Sequence, residues 1–356
     1  MKGRQNIGRR LLRNPGMLFG LIVIGVATFI AVTGYLIAPD GSPDANRIIV
    51  EIGGRKPGFR QEFLLVRKPG AAAPAGFFHR LLFGQVDGYD YVPIEGYQAM
   101  GDSLVVQKFV DEGVYERRAY LLTGPPKIEV RRFWLGTDKY GRDILSRLLI
   151  GVRVSLAVGM VTVLLSISVG VGLGALAGYF RERVDEVILW LVNVIWSIPT
   201  LLLVFAIMLV LGKGFWQVFI AIGLTLWVNV ARIVRGQVLS VREREYVEAA
   251  RALGYSHARI LFRHILPNIM GPVWVVAASN FASAIVIEAG LSFLGVGVQP
   301  PQPSWGLMIK ENYNFIITHN PMLALAPGIA IMLLVLAFNL LGNGLRDVLV
   351  GSRATY

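Results

Sequence analysis

The residues best able to do chemistry fall in three short stretches of an otherwise apolar chain. The first, Trp134 to Leu156 (WLGTDKYGRDILSRLLIGVRVSL), sets Asp138 and Asp143 beside Arg142 and Arg147. Two carboxylates among guanidiniums resemble an acid–base cluster, yet local ion pairs and helix caps account for them more simply. The second, Glu245 to Asn268 (EYVEAARALGYSHARILFRHILPN), is Arg-rich and lies between two long apolar runs. The third, Glu288 to Trp305 (EAGLSFLGVGVQPPQPSW), puts a carboxylate near the end of an apolar run. An acid there is expensive to bury unless paired or wetted, which makes Glu288 a candidate for a solute pathway; a carboxylate in water at the outer interface is the alternative. No phosphate-binding G-x-x-x-x-G-K-[ST] loop, Ser/His/Asp grouping or H-E-x-x-H pattern stands out. The sequence carries no obvious enzyme site and no ATPase site of its own.

The elements that position these residues are helical. In the second stretch Tyr246, Val247, Ala250 and Leu253 recur along one side, while Glu245, Glu248 and Arg251 share the other. Gly254 can end that helix in a left-handed conformation, and Ser256 can cap the next one. Pro267 is expected to mark where the second helix runs out. The result is a compact helical hairpin of the kind a soluble partner can grip; an amphipathic helix lying in the lipid surface would explain the charges but not the Gly and Pro. In the first stretch Thr137 or Asp138 is expected to cap a helix whose apolar side holds Ile144, Leu145, Leu148 and Leu149. Such a helix would rest at the outer interface before the chain turns inward.

The 356 residues are 54% hydrophobic and only 16% charged, well below the roughly 25% charge of soluble domains. Apolar runs at about 17–38, 154–179, 187–211, 215–238, 269–290 and 322–342 are near the length that crosses a bilayer. The net charge of +12 needs no nucleic-acid partner, because the basic residues crowd short segments beside apolar runs, where orientation and anionic lipid explain them. The N-terminal tail carries Lys2, Arg4, Arg9, Arg10 and Arg13. Arg181 and Arg183 follow the second run; Arg242, Arg244, Arg251, Arg259 and Arg263 follow the fourth. The opposite loops hold only Lys213 and Lys310. Both termini and the hairpin are therefore expected in the cytoplasm. Met17 to Ala38 is too long for the about 7–15-residue core of a signal peptide, so it reads as a retained anchor. The chain has no cysteine, which excludes disulfides and thiolate metal sites. His79, His257, His264 and His319 show no ligand spacing, and no metal site is expected.

Residues 39–135 form an insert whose charges nearly balance, thirteen Lys/Arg against twelve Asp/Glu between Asp40 and Arg132. Arg47–Ile52, Glu62–Val66 and Leu104–Val110 read as strands, and Phe77–Phe83 as one helical turn or two. So many Val, Ile, Leu, Phe and Tyr point to a small folded domain rather than a coil. In the second apolar run Gly170, Gly174 and Gly178 form one small-residue face, suited either to a sister subunit's helix or to packing within this chain. In the third, Pro199 should free the carbonyl near Ile195 and kink the helix, a possible gate. Asn193, Asn229 and Asn280 are the main polar groups at mid-span.

The order Glu248-Ala249-Ala250, Gly254, Ile265-Leu266-Pro267 resembles the EAA loop of ABC-importer permeases. The GTD-x-x-GRD-x-x-SR pattern of the first stretch and the EAGLSFLG and PSWG of the third resemble the dipeptide/oligopeptide/nickel branch of that family, in particular its C-type permease subunit. The resemblance implies an all-α polytopic fold: a cytoplasmic tail (1–16), helix 1 (17–38), the strand-rich extracytoplasmic insert (39–135), a permease core with helices 2–6 (136–342), and a cytoplasmic tail (343–356). The insert has no counterpart in that pattern. The same resemblance implies a coupling helix docked on an ATPase subunit through Glu245, Glu248, Ala249, Ala250, Gly254, Arg259, Ile265, Leu266 and Pro267. It also implies a sister permease in a heterodimer, two ATPase subunits that hold ATP and Mg, an external substrate-binding protein, and surrounding lipid in a bacterial or archaeal cytoplasmic membrane. Pro199, Asn229, Asn280 and Glu288 are the pathway or gate candidates. An ion-gradient transporter or channel is the competing expectation; it predicts buried ionisable residues at mid-span and inverted repeats.

Overall fold

A computed structural model describes residues 14–70, 75–100, 103–121, 125–317 and 320–353; His319 and the basic tail up to Arg13 lie outside them. Helix α1 (Pro15–Ile37) opens the chain. An antiparallel sheet follows, of β1 (Phe59–Arg67), β2 (Tyr89–Met100), β3 (Ser103–Asp111), β4 (Val114–Leu121) and β5 (Ile128–Phe133), with α2 (Phe77–Phe83) between β1 and β2. After the sheet come α3 (Ile144–Phe180), α4 (Glu182–Trp196), α5 (Thr200–Leu211), α6 (Phe215–Arg242), α7 (Glu245–Ala252), α8 (His257–Leu294), α9 (Trp305–Asn312) and α10 (Met322–Arg353). Five helices, α1, α3, α6, α8 and α10, are long and apolar enough to cross a membrane, and α4 with α5 passes the same test as a pair bent by 94°. The chain divides into two compact bodies. One is drawn from Ser155–Gln299 with parts of both terminal helices, the other from Thr28–Val154 with Pro300–Ile329.

In the sheet-containing body the strand order is β4-β3-β2-β1-β5. Alternation along β1 sends Phe63 and Leu65 to one face, with Phe109, Phe133, Ile49 and Ile52, and Leu64 to the other, with Ile94, Leu104 and Val106. Both faces thus bury apolar side chains. The strands expected at 62–66 and 104–110 form as β1 and β3. The segment Arg47–Ile52 does not: it is a coil ending in a single 3-10 turn at Val50–Ile52. It follows Asp44 and Ala45, whose positive φ values turn the chain, and it buries Ile49 and Ile52 against the sheet instead of pairing with it. The sequence pattern does not mark β2, β4 and β5. Pro93 and a bulge between Ile94 and Gly96 interrupt the pattern of β2, and β4 is a charged, exposed edge.

In the helical body the glycine face of α3 packs within the chain. A Cβ on Gly170 would meet Val230 and the Trp227 carbonyl, and on Gly178 the Arg235 carbonyl and Val238. At Gly174 it would lie 2.4 Å from the Ala231 carbonyl. The three glycines let α3 and α6 approach backbone to backbone. Several expected boundaries shift. α3 begins at Ile144 and runs on as one 37-residue helix, so no separate interfacial helix precedes it. α10 continues to Arg353 rather than ending near 342.

Gly174→Leu should therefore cost about 1–3 kcal/mol of stability by overpacking, while Gly172→Ala, whose Cβ meets nothing within 4 Å, should stay within about 0.5 kcal/mol of wild type. Thermal unfolding in detergent tests the pair; equal midpoints for the two would show that the glycine face is not packed as described.

Candidate functional site

The hairpin is built from α7 and the start of α8. Val247 and Ala250 face inward and join Ile260, Leu261 and Ile265 of α8 and Val234 and Val238 of α6 in one buried cluster. Glu245, Glu248, Ala249 and Arg251 face out. Two sequence expectations change. Tyr246 and Leu253 are exposed rather than part of the inner stripe, Leu253 to 72%. Ala250 is buried, so only Ala249 of the pair lies on the outer surface. Gly254 has φ +75°; its N–H donates to the Arg251 carbonyl and that of Tyr255 to the Ala250 carbonyl. That double closure is the Schellman termination, which a glycine at this position favours. Ser256 accepts a hydrogen bond from the Arg259 N–H and caps α8.

Pro267 does not end the second helix. α8 runs unbroken from His257 to Leu294, with a π turn at Leu261–Ile265 in which the Leu266 N–H reaches the Leu261 carbonyl. The wider turn shifts the ladder by one residue just where Pro267 lacks a donor. Asn268 Nδ2 donates to the His264 carbonyl at 2.7 Å and to Tyr246 Oη at 3.1 Å, which ties the two arms of the hairpin together. Ile265 is buried, Leu266 half-buried, and Arg259 and Pro267 exposed.

The pathway candidates separate into two kinds. Asn280 is buried, its amide within 3.3 Å of both Ser166 Oγ and the Leu226 carbonyl, so it links α3, α6 and α8. Glu288 is buried too and accepts from Ser292 Oγ at 2.6 Å. The same hydroxyl takes the Val298 N–H at 3.0 Å, so Glu288 helps close the end of α8 and is not the solvated carboxylate considered above. Asn193, Asn229 and Pro199 are exposed. At Pro199 the chain bends through 94° rather than merely kinking. The Ile195 carbonyl keeps a donor, the Ile198 N–H at 3.3 Å.

Two arginines of α6, not singled out by the sequence, hold the two ends of α4. Arg235 makes a bidentate pair with Asp185, at 2.5 and 2.6 Å, joining α4 to α6. The Arg232 guanidinium lies 3.5 Å from the centre of the Trp196 ring, a cation–π contact at the last residue of α4. The signal was available: charges inside apolar runs call for a partner.

The acid–arginine stretch forms no open cluster. Asp138 accepts the Tyr140 and Arg142 N–H groups at 2.9 and 3.0 Å and the Arg142 Nε at 2.6 Å. Arg142 also reaches Glu311 at 2.7 Å. Thr137 receives the Arg55 N–H. The cap of α3 is Asp143, which takes the Ser146 N–H at 2.9 Å, not Thr137 or Asp138. Burial pushes the Asp143 carboxyl above its ordinary range, against the hydrogen bonds from Ser146. Of the expected apolar side only Ile144 is fully buried and Leu145, Leu148 and Leu149 only half so, while Ser146 and Arg147, expected to face elsewhere, are fully buried as well. The expectation of ion pairs and caps is met by the geometry. Arg142→Met would leave Asp138 buried without its counter-ion, a loss of about 3–5 kcal/mol. Thermal unfolding of the detergent-solubilised chain measures it, and a change below about 1 kcal/mol would mean the pair is solvated.

Residues 170–353 match the family described as binding-protein-dependent transport system inner membrane component. The glutathione transport system permease protein GsiD of Pectobacterium atrosepticum is 43% identical over 61% of this chain and 71% of its own length. The oligopeptide transport system permease protein OppC of Bacillus subtilis is 41% identical over 61% and 70%. The di/tripeptide transport system permease protein DppC of Pseudomonas aeruginosa is 43% identical over 65% and 77%. The ion-gradient alternative falls with these matches. With half its length matched to the family and its hairpin set between two spans, the chain belongs to the binding-protein-dependent inner-membrane components and is the permease subunit of an ABC importer.

Proposed function

We propose that this permease moves peptides or related small solutes inward, paired with a sister permease and fed by an extracytoplasmic substrate-binding protein. The cargo class rests on what the relatives are named for: glutathione, oligopeptides, and di- and tripeptides. ATP and Mg are held by two separate ATPase subunits, which drive the cycle. The bent pair α4–α5 counts as one span, giving six. In this reading the hairpin and both termini lie in the cytoplasm of a bacterial or archaeal cell and the sheet outside, which the Arg-rich connections support.

The single observation that carries the coupling role is the two-sided character of the hairpin. Its inner face is fixed in the same buried cluster as α6 and α8. Its outer face offers Glu245, Glu248, Ala249, Arg259 and a large apolar side chain, Leu253 at 72% exposure. Exposed apolar groups rimmed by charge mark a protein-binding surface. A push on that surface moves α8 directly, because the helix does not break at Pro267.

Glu248 faces out and pairs with a basic group of the ATPase cleft. Glu248→Lys puts like charges together, which costs several kcal/mol across an interface. Uptake by the reconstituted complex should then fall by roughly two orders of magnitude while ATP hydrolysis persists; wild-type uptake would refute the pairing. Gly254→Val forces a β-branched residue to positive φ, a strain of at least about 1–2 kcal/mol. It should lower both co-purification with the ATPase and uptake.

A further inference from the structure

Beside the hairpin a groove of about 660 Å³ runs between the second half of α3 and the first part of α8. Its walls are apolar, among them Val171, Leu176, Leu261, Phe262 and Met270, and Gly172 forms part of its floor. Both helices are long and apolar enough to cross a membrane, so the groove faces hydrocarbon wherever protein does not cover it. Ser168 also lines it, and the end near the hairpin is built from Tyr179 and His257, with Tyr179 Oη 2.9 Å from His257 Nδ1. Two guanidiniums lie beside the Tyr179 ring, just outside the groove's own lining. The Cζ atoms of Arg242 and Arg251 each lie 5.7 Å from the centre of the Tyr179 ring, and Arg242 donates to the Tyr179 carbonyl. Among the described residues neither arginine has a carboxylate partner; the neighbouring acid, Glu243, is taken by Arg181.

An occupant of this groove must be apolar along its length and anionic at the end beside Tyr179. We infer that the groove between α3 and α8 is a binding site for an anionic phospholipid, with an acyl chain along Gly172 and the phosphate at Arg242 and Arg251. A basic cluster at the end of membrane helices is where acidic headgroups collect. The fixed walls let an acyl chain settle in one place rather than spread over a convex helix surface. A helix of a sister subunit would fill the apolar part equally well, but it would have to bring an acid to Tyr179. One wall of the groove is the arm of α8 that continues from the hairpin, so the bound lipid braces that arm. The inference depends on α3 and α8 crossing a bilayer and is independent of the cargo and of the hairpin's side.

The test uses the complete importer complex in nanodiscs containing a phosphatidylglycerol with a diazirine in its acyl chain, or the matching phosphatidylcholine. Cross-linked peptides are mapped by mass spectrometry. Peptides of α3 and α8 that line the groove should be labelled roughly tenfold more by the phosphatidylglycerol, while labelling of α1 serves as the bulk-lipid reference. Gly172→Leu, at a lining position where an added Cβ meets nothing within 4 Å, should reduce groove labelling to the reference level. The double variant Arg242→Gln, Arg251→Gln should retain acyl labelling but lose the preference for phosphatidylglycerol. Equal labelling by the two lipids in the wild type overturns the inference, as does labelling unchanged by Gly172→Leu. Groove peptides protected from lipid and cross-linkable to the sister permease would also overturn it. The coupling role fails separately, through uptake by the Glu248→Lys complex.

Discussion

The structure depends on one backbone problem, solved between Leu261 and Pro267. A helix that joins a soluble surface to a bilayer cannot leave carbonyls or N–H groups unpaired along the way, because hydrocarbon offers them no partner. Pro267 removes a donor at the point where α8 passes from hairpin to span. The π turn shifts the ladder by one residue, and the Asn268 amide takes the His264 carbonyl. The helix therefore stays continuous over 38 residues. Were it broken there, the hairpin would be a flap on a joint, and force applied to it would be absorbed by the joint.

The contrast with Pro199 explains what the sequence could and could not disclose. Both prolines are expected to interrupt a helix, and the rule for an isolated helix treats them alike. At Pro199 the chain bends by 94°; at Pro267 it does not end. The difference lies in the neighbours: a π turn and an Asn side chain at one site, and at the other a Ser197 hydroxyl that turns back to the Val194 carbonyl. Outcomes fixed within a few residues were legible, such as the Gly254 termination and the Ser256 cap. Outcomes fixed by tertiary partners were not. Tyr246 and Leu253 share the apolar stripe of Val247 and Ala250 in the sequence, yet only the latter two meet the buried cluster of Ile260 and Ile265.

The same distinction governs the charged stretch ahead of α3. An apolar side at Ile144, Leu145, Leu148 and Leu149 suggested a helix lying with its polar residues in water. The structure buries Ser146 and Arg147 along with Ile144, because the partners of that polar side come from distant segments: the Asp40 N–H donates to Ser146 Oγ, and Glu311 lies 3.6 Å from Arg147. Periodicity identifies the sides of a helix but cannot say which one is covered when the cover is polar. Strands failed for a related reason. β4 is the exposed edge of the sheet, paired with β3, and its three consecutive charges, Glu116, Arg117 and Arg118, break the alternation that would mark it as a strand.

The two arginines that the sequence reading passed over connect the hairpin to the bend. α6 ends at Arg242, immediately before α7 begins at Glu245, so it is the other helix that a displaced hairpin must carry. Arg235 fixes α6 to the start of α4 through a bidentate pair with Asp185, and Arg232 covers Trp196 at the end of α4. The first is a directional, charge-assisted link with little freedom to slide. Its position close to the apolar part of the helix lowers the local dielectric and strengthens it. The second is a face contact, which tolerates sliding and tilting of the ring. One end of α4 is thus pinned and the other guided. Under the proposed coupling, a push at the hairpin would therefore rotate α4 about Asp185 and change the angle at Pro199, with no need for a hinge inside α6 or α8.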